Sequence, residues 1–109
     1  MNTNELINYF EKKYNKKTNE FNDIEWYEWI EISQFKYLTE EFMEKYKNKV
    51  NWLYISKYQN LSGEFIHKYK EKINFKHISK QNKINYFQYQ VKNNIISNSE
   101  YLKEILKLK

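Results

Sequence analysis

At 109 residues and a net charge of +5, the chain is long enough for one domain with a buried core and too short for two. It contains no cysteine, which excludes disulfides, thiol nucleophiles and Cys-based zinc sites, and it also lacks proline, alanine and arginine. Aromatic residues make up 19% of it, so the core is expected to be built from rings whose hydroxyl and indole groups need polar partners or a wet edge.

The charge is unevenly spread. Residues 1–46 carry ten acids against six lysines, net −4, whereas residues 47–109 carry four acids against thirteen lysines, net +9. This asymmetry predicts two faces of opposite sign. The abundance of Asn, Lys, Ile and Tyr, with no Ala or Arg, follows AT-rich coding and is not itself chemistry. The start MNTNELINYF has neither a basic leader nor a continuous apolar stretch, and no apolar run is long enough to span a bilayer, so a cytoplasmic location is expected.

Along the chain, Leu6, Ile7, Phe10 and Tyr14 recur at helical spacing in a first helix from about Asn4 to Lys17, capped by Asn2 or Thr3 and ending in lysines that suit the helix dipole. The polar break TNEFND follows. Asp23 is the expected N-cap of a helix through Gln34, with Trp26, Trp29, Ile30 and Ser33 on a packing face and Tyr27, Glu28 and Glu31 opposite.

From there the chain repeats itself every 23 residues. Trp29/Trp52, Ile32/Ile55, Ser33/Ser56, Leu38/Leu61, Glu41/Glu64, Phe42/Phe65, Lys45/Lys68, Tyr46/Tyr69 and Lys49/Lys72 are identical pairs. A fixed period in this range signals stacked supersecondary units. Thr39 and Ser62 are the expected N-caps of each unit's second helix, and Leu38/Met43 and Leu61/Ile66 form hydrophobic staples. Lys47, Lys49, Lys70 and Lys72 are expected in the last turns of those helices. Asn51 and Asn74 should cap the short helices that follow, pointing Trp52 and Ile55, then Phe75 and Ile78, inward. The recurring Ser33, Ser56 and Ser79 read either as small residues that let a neighbouring helix approach or as solvent-facing remnants of duplication.

The third copy fades after Lys80, where QNKINYFQYQVKNNII still has the makings of a helix but Asn85 and Tyr86 replace Ser62 and Gly63. In the final segment Tyr101, Leu102, Ile105, Leu106 and Leu108 form an apolar stripe flanked by Lys103, Lys107 and Lys109, expected to close the stack. Helices this short are unstable alone in water, so stability must come from stacking. The predicted fold is therefore all-α: a short-helix, alpha-solenoid-like repeat stack of about seven or eight helices in one domain. It divides into a cap helix (1–22), repeat units 23–50, 51–73 and 74–96, and a closing helix (97–109).

No catalytic constellation assembles from these residues. There is one Asp, no Gly-rich phosphate loop, and His67 and His77 lack ligand spacing, so neither enzymatic activity, a metal nor a cofactor is expected. Two surfaces remain. The acidic stretch, with Glu25, Trp26, Tyr27, Glu28, Glu31, Glu40, Glu41 and Glu44, suits docking to a basic protein surface, with charge for steering and a ring as anchor. It reads equally as a solvated helix face. The alternative is direct RNA or DNA binding by Lys68, Lys72, Lys76, Lys80 and Lys83, interleaved with Tyr69, Phe75, Tyr86, Phe87 and Tyr89. The absence of Arg removes bidentate phosphate recognition, and a solvated lysine face over an aromatic core accounts for the same residues.

The unit WxxIS-x-[YF]-x-x-L-[ST]-x-E-F-[IM]-x-K-Y-K-x-K-[VI], at Trp29 to Val50 and Trp52 to Ile73, resembles short helical repeats found in proteins of phages and large DNA viruses. The resemblance covers roughly residues 24–80. It implies a viral or phage origin and a binding role, and small cysteine-free phage proteins with an acidic face resemble host-defence inhibitors such as anti-CRISPR proteins. What it implies is a partner protein, with a host nucleoprotein complex as the candidate.

Overall fold

In the computed structural model, which describes residues 1–108, the chain is all-helical. Among the described residues there are seven α-helices and one 3-10 helix, with no strand. Lys109, expected at the end of the closing helix, lies outside the described residues. No described helix is long and apolar enough to cross a membrane.

Helix α1 (Thr3–Tyr14) starts with a capping box: the Asn2 side chain accepts from the Glu5 N–H, and the Glu5 carboxylate accepts from the Asn2 N–H. Asn15 ends it in the left-handed region at φ 54°. The segment TNEFND is not a simple polar break. It winds into a 3-10 helix (Thr18–Asp23) because Phe21 is driven into the core, and Asp23 therefore does not cap the next helix. Helix α2 (Trp26–Ser33) begins instead after Glu25. This later start puts Trp29, Ile32 and Ser33 inside and leaves Trp26 in solvent, correcting its predicted place on the packing face.

Helices α3 (Glu40–Lys45) and α5 (Gly63–Lys68) are capped as expected, by Thr39 on the Phe42 N–H and Ser62 on the Phe65 N–H, both at 3.1 Å. Each ends sooner than predicted, so Lys47, Lys49, Lys70 and Lys72 lie in the turns beyond. Helix α4 (Trp52–Tyr58) is capped by Asn51. The corresponding helix of the third copy is absent: Phe75 to His77 form a turn closed by Asn74, and Phe75 is exposed rather than inward. Ser79 caps α6 (Lys80–Lys92), which is followed by α7 (Asn98–Lys107).

Helix α1 packs on α3, α2 on α4, α5 on α6 and α6 on α7. The result is a rod of 51 × 22 × 21 Å with a radius of gyration of 15.8 Å. A compact domain of this length would have a radius near 13 Å. The fully buried core comprises Leu6, Phe10, Ile32, Phe42, Met43, Ile55, Leu61 and Ile66, mostly residues of the repeat. Beyond Ile78 the core thins. The only buried side chain of α6 is Asn82, and half of the α7 stripe faces solvent, with Leu102 59% and Leu106 63% exposed.

Polar ties recur at the repeat interval. Ser33 Oγ donates to the Trp29 carbonyl (2.7 Å) and accepts from the Asn51 N–H (2.8 Å); Ser56 Oγ does the same with Trp52 (2.6 Å) and Asn74 (2.9 Å). The serines are thus buried for their hydroxyls as well as their size. Gln59 Nε2 donates to the carbonyls of Ser33 and Phe35 (2.8 and 2.9 Å). Twenty-three residues on, Asn82 Nδ2 donates to the Gln59 carbonyl (2.7 Å) while its Oδ1 accepts from the Leu61 N–H (2.9 Å).

Gly63 has an ordinary backbone conformation but no room for a side chain. A Cβ there would lie 2.4 Å from both the Asn85 carbonyl oxygen and Tyr89 Cβ. Because one obstacle is backbone, Gly63→Ala is expected to push α6 off α5 and destabilise the domain by about 1–3 kcal/mol in urea denaturation. An unchanged midpoint would refute this contact.

Candidate functional site

The eight acidic-stretch residues do not form one free surface, because neighbouring elements occupy several of them. Glu31 pairs with Lys13 on α1 and accepts a 3.0 Å bond from the Tyr14 hydroxyl. Glu40 reaches forward to the cap of α5, accepting from the Ser62 N–H (2.6 Å) and hydroxyl (3.0 Å). Glu44 pairs with Lys68 and accepts from the Tyr69 hydroxyl (2.7 Å). Glu41 lines a shallow depression with Glu40, Glu44, Glu64 and Lys68.

The electrostatics follow from these partners. Lys13, then Tyr14, holds the Glu31 carboxyl below the usual range, and Lys68, then Tyr69, does the same for Glu44. Burial, helped by Glu31, raises the Tyr14 hydroxyl, and burial with Glu44 raises that of Tyr69.

What remains open is the start of α2. Trp26 is 72% exposed and Tyr27 57%. Their rings meet edge to face at 5.7 Å, so each stiffens the other. Glu25 and Glu28 flank them, joined by a 2.9 Å bond from the Glu25 N–H to Glu28 Oε1. Trp26 borders a depression of about 280 Å³ whose walls include Ile24, Trp29, Val50 and Lys49. The start of α2 thus presents two solvated rings and two carboxylates beside a hollow of mixed lining, with Asn22, Asn48, Lys49 and Asn51 as well as Ile24, Trp29 and Val50.

The basic residues are likewise divided. Lys68 is drawn to the acidic side by Glu44. Lys83 lines a different cavity, between the Phe75–Ile78 turn, α6 and α7, while Lys72, Lys76 and Lys80 are exposed. His67 Nδ1 lies 3.2 Å from the Tyr86 hydroxyl at the α5–α6 contact, and His77 is exposed. Among the described residues, no group of three or more His, Asp or Glu is placed to hold a metal ion.

The sequence reading did not find the buried carboxamides or the α6–α7 cavity. A signal for the first existed: Gln59 and Asn82 are carboxamides one repeat apart. The cavity had none, because it depends on how α7 folds back.

Among the described residues, the buried Tyr46 hydroxyl has no hydrogen-bond partner, because the position matching Glu44 one repeat earlier is Phe21, whose ring lies 5.5 Å from that of Tyr46. Burial raises its pKa. Tyr46→Phe is therefore expected to stabilise the domain by about 1 kcal/mol, since it removes an unpaired buried group. Tyr69→Phe should lower Tm. Equal effects of the two changes would refute the asymmetry.

Because Glu31 is depressed in the folded state, its pairing stabilises the protein above the ordinary carboxylate pKa of about 4.3 and is lost as pH falls through the lowered value. Glu31→Gln should lower Tm modestly at pH 7, as befits an exposed pair, and converge on the parent in strong acid. A constant offset across the thermal-melt pH series would contradict this linkage.

No known protein family, curated protein or solved structure matches the chain.

Proposed function

We propose that the chain is a non-enzymatic protein-binding module, built as a short solenoid-like helical stack, that docks on a basic surface of another protein. Trp26 and Tyr27 form the anchor, and Glu25 and Glu28 supply steering charge, with Glu41 as a separate acidic contribution. The single observation that carries the reading is the 72% exposure of Trp26 beside an exposed Tyr27, because indoles are costly to leave in water and dominate interface energetics. The stack is supported by the rod shape and by the Ser–Asn ties that recur at the repeat interval.

The partner class follows from charge. A basic channel that normally takes nucleic acid offers the field an acidic, ring-bearing surface complements, so the reading extends to inhibition of a cytoplasmic nucleic-acid-handling complex by occupancy. The phage-like repeat pattern points the same way. Glu31, Glu40 and Glu44 serve chiefly to tie helices together, and changing them tests stability more than binding.

The test is capture from nuclease-treated host-cell lysate with the parent chain and with Trp26→Ala. Trp26→Ala should weaken the captured complex by about 30-fold, the loss typical of a hot-spot ring, with Tm nearly unchanged. Undiminished capture by the variant, or loss of the partner on nuclease treatment alone, would overturn the proposal.

A further inference from the structure

The cavity at the junction of the Phe75–Ile78 turn, α6 and α7 has a volume of about 490 Å³, within the range of pockets that bury a small ligand. One of its walls is Phe75, the residue that stands one repeat after Trp52. In the second unit, Trp52 packs on Phe65 (6.1 Å between ring centres) and Tyr69 (5.3 Å). One repeat later the three positions are Phe75, Gln88 and Lys92, and the last two are exposed. Phe75 has lost the ring platform that Trp52 enjoys, and its one aromatic neighbour among the described residues is Tyr86, at 5.7 Å.

The walls are chemically specific. Phe75, Tyr86 and Phe87 supply three aromatic rings, Ile78 and Leu108 complete the apolar lining, and Gln90 offers a carboxamide. Lys83 also lines the cavity and has no ion-pair partner among the described residues, whereas Glu104 is matched by Lys107 at 3.2 Å. Among the described residues, the lining therefore carries one positive charge in excess. Lys76 adjoins Phe75 in the chain, and Lys80 precedes Lys83 by one helical turn.

We propose that this cavity seats one unstacked nucleotide, its base against Phe75, Tyr86 and Phe87 and its phosphate at Lys83. Rings favour a flat π-faced group over an aliphatic chain, the Gln90 amide can pair with a base edge, and the free ammonium selects an anion. The same chemistry is offered by a free nucleotide and by a nucleotide within a single strand. This site is separate from the Trp26 anchor.

The test is an amide NMR titration of the full chain with AMP, with inorganic phosphate as control, and fluorescence anisotropy of a short labelled oligo(A) strand. AMP should shift amides of residues 75–78 and 83–90 with a dissociation constant on the order of 0.1–1 mM. Phe87→Ala should weaken binding by about 5- to 100-fold, the range for loss of a stacking ring. Lys83→Gln, which leaves the ring cluster intact, should also weaken it and covers the case in which Phe87→Ala fails to fold. Tighter, salt-sensitive binding of oligo(A) identifies a strand as the source, and binding no tighter than AMP identifies the free nucleotide. The proposal is overturned if AMP produces no shifts there, if phosphate alone reproduces them, or if Lys83→Gln binds as the parent does. Trp26→Ala should leave the AMP shifts unchanged, so failure here and failure of partner capture are distinguishable.

Discussion

A six-residue helix leaves most of its backbone hydrogen-bonding groups without intrahelical partners, since four N–H groups at one end and four carbonyls at the other have none. Helices α3 and α5 are of this length, and α4 is one residue longer. Everything else in the molecule answers that constraint. Thr39 and Ser62 satisfy donors locally, and residues of adjacent units satisfy much of what remains. Ser33 and Ser56 receive the N–H that begins the next unit, Gln59 and Asn82 cover carbonyls of the preceding one, and Glu40 takes the N–H of Ser62. These groups are paired only when neighbouring units are in place, so polar satisfaction and apolar burial demand the same arrangement.

The same constraint sorts the charged residues. Glu31, Glu40 and Glu44 each bond to a residue of another element, while Glu31 and Glu44 stay exposed at the surface. Exposed rings lie where a unit departs from its copies. Trp26 and Tyr27 precede the repeated core of α2, and Phe75 stands where Trp52 stood but without its stacking partners. The identical apolar and serine positions pack, whereas the identical charged pairs Glu41/Glu64, Lys45/Lys68 and Lys49/Lys72 stay exposed.

The third unit shows how a small change in sequence alters the architecture. Ser33 and Ser56 sit near the ends of their helices, but Ser79 begins one, because the Phe75–His77 segment closes as a turn and α6 continues unbroken for 13 residues. Gly63 permits this long helix to cross close to the start of α5. Beyond that crossing the core thins to partly buried rings, and α7 covers α6 with only part of its apolar stripe.

The sequence by itself determined the all-helical class, the 23-residue interval, the caps at Thr39, Asn51 and Ser62, and most of the buried residues, and it narrowed the first cap to Asn2 or Thr3. These are local or periodic properties: a cap acts within three residues, and an apolar face recurs with the helical turn. It placed Trp26 on a packing face, where the structure instead leaves it in solvent. Only the tertiary structure decided which acids are free, that Phe21 enters the core and so delays α2, that Gln59 and Asn82 bind backbone across units, and that Lys68 sits with Glu44 rather than with Lys83. These depend on contacts between residues 17 to 26 positions apart, and such contacts are set by how the helices pack.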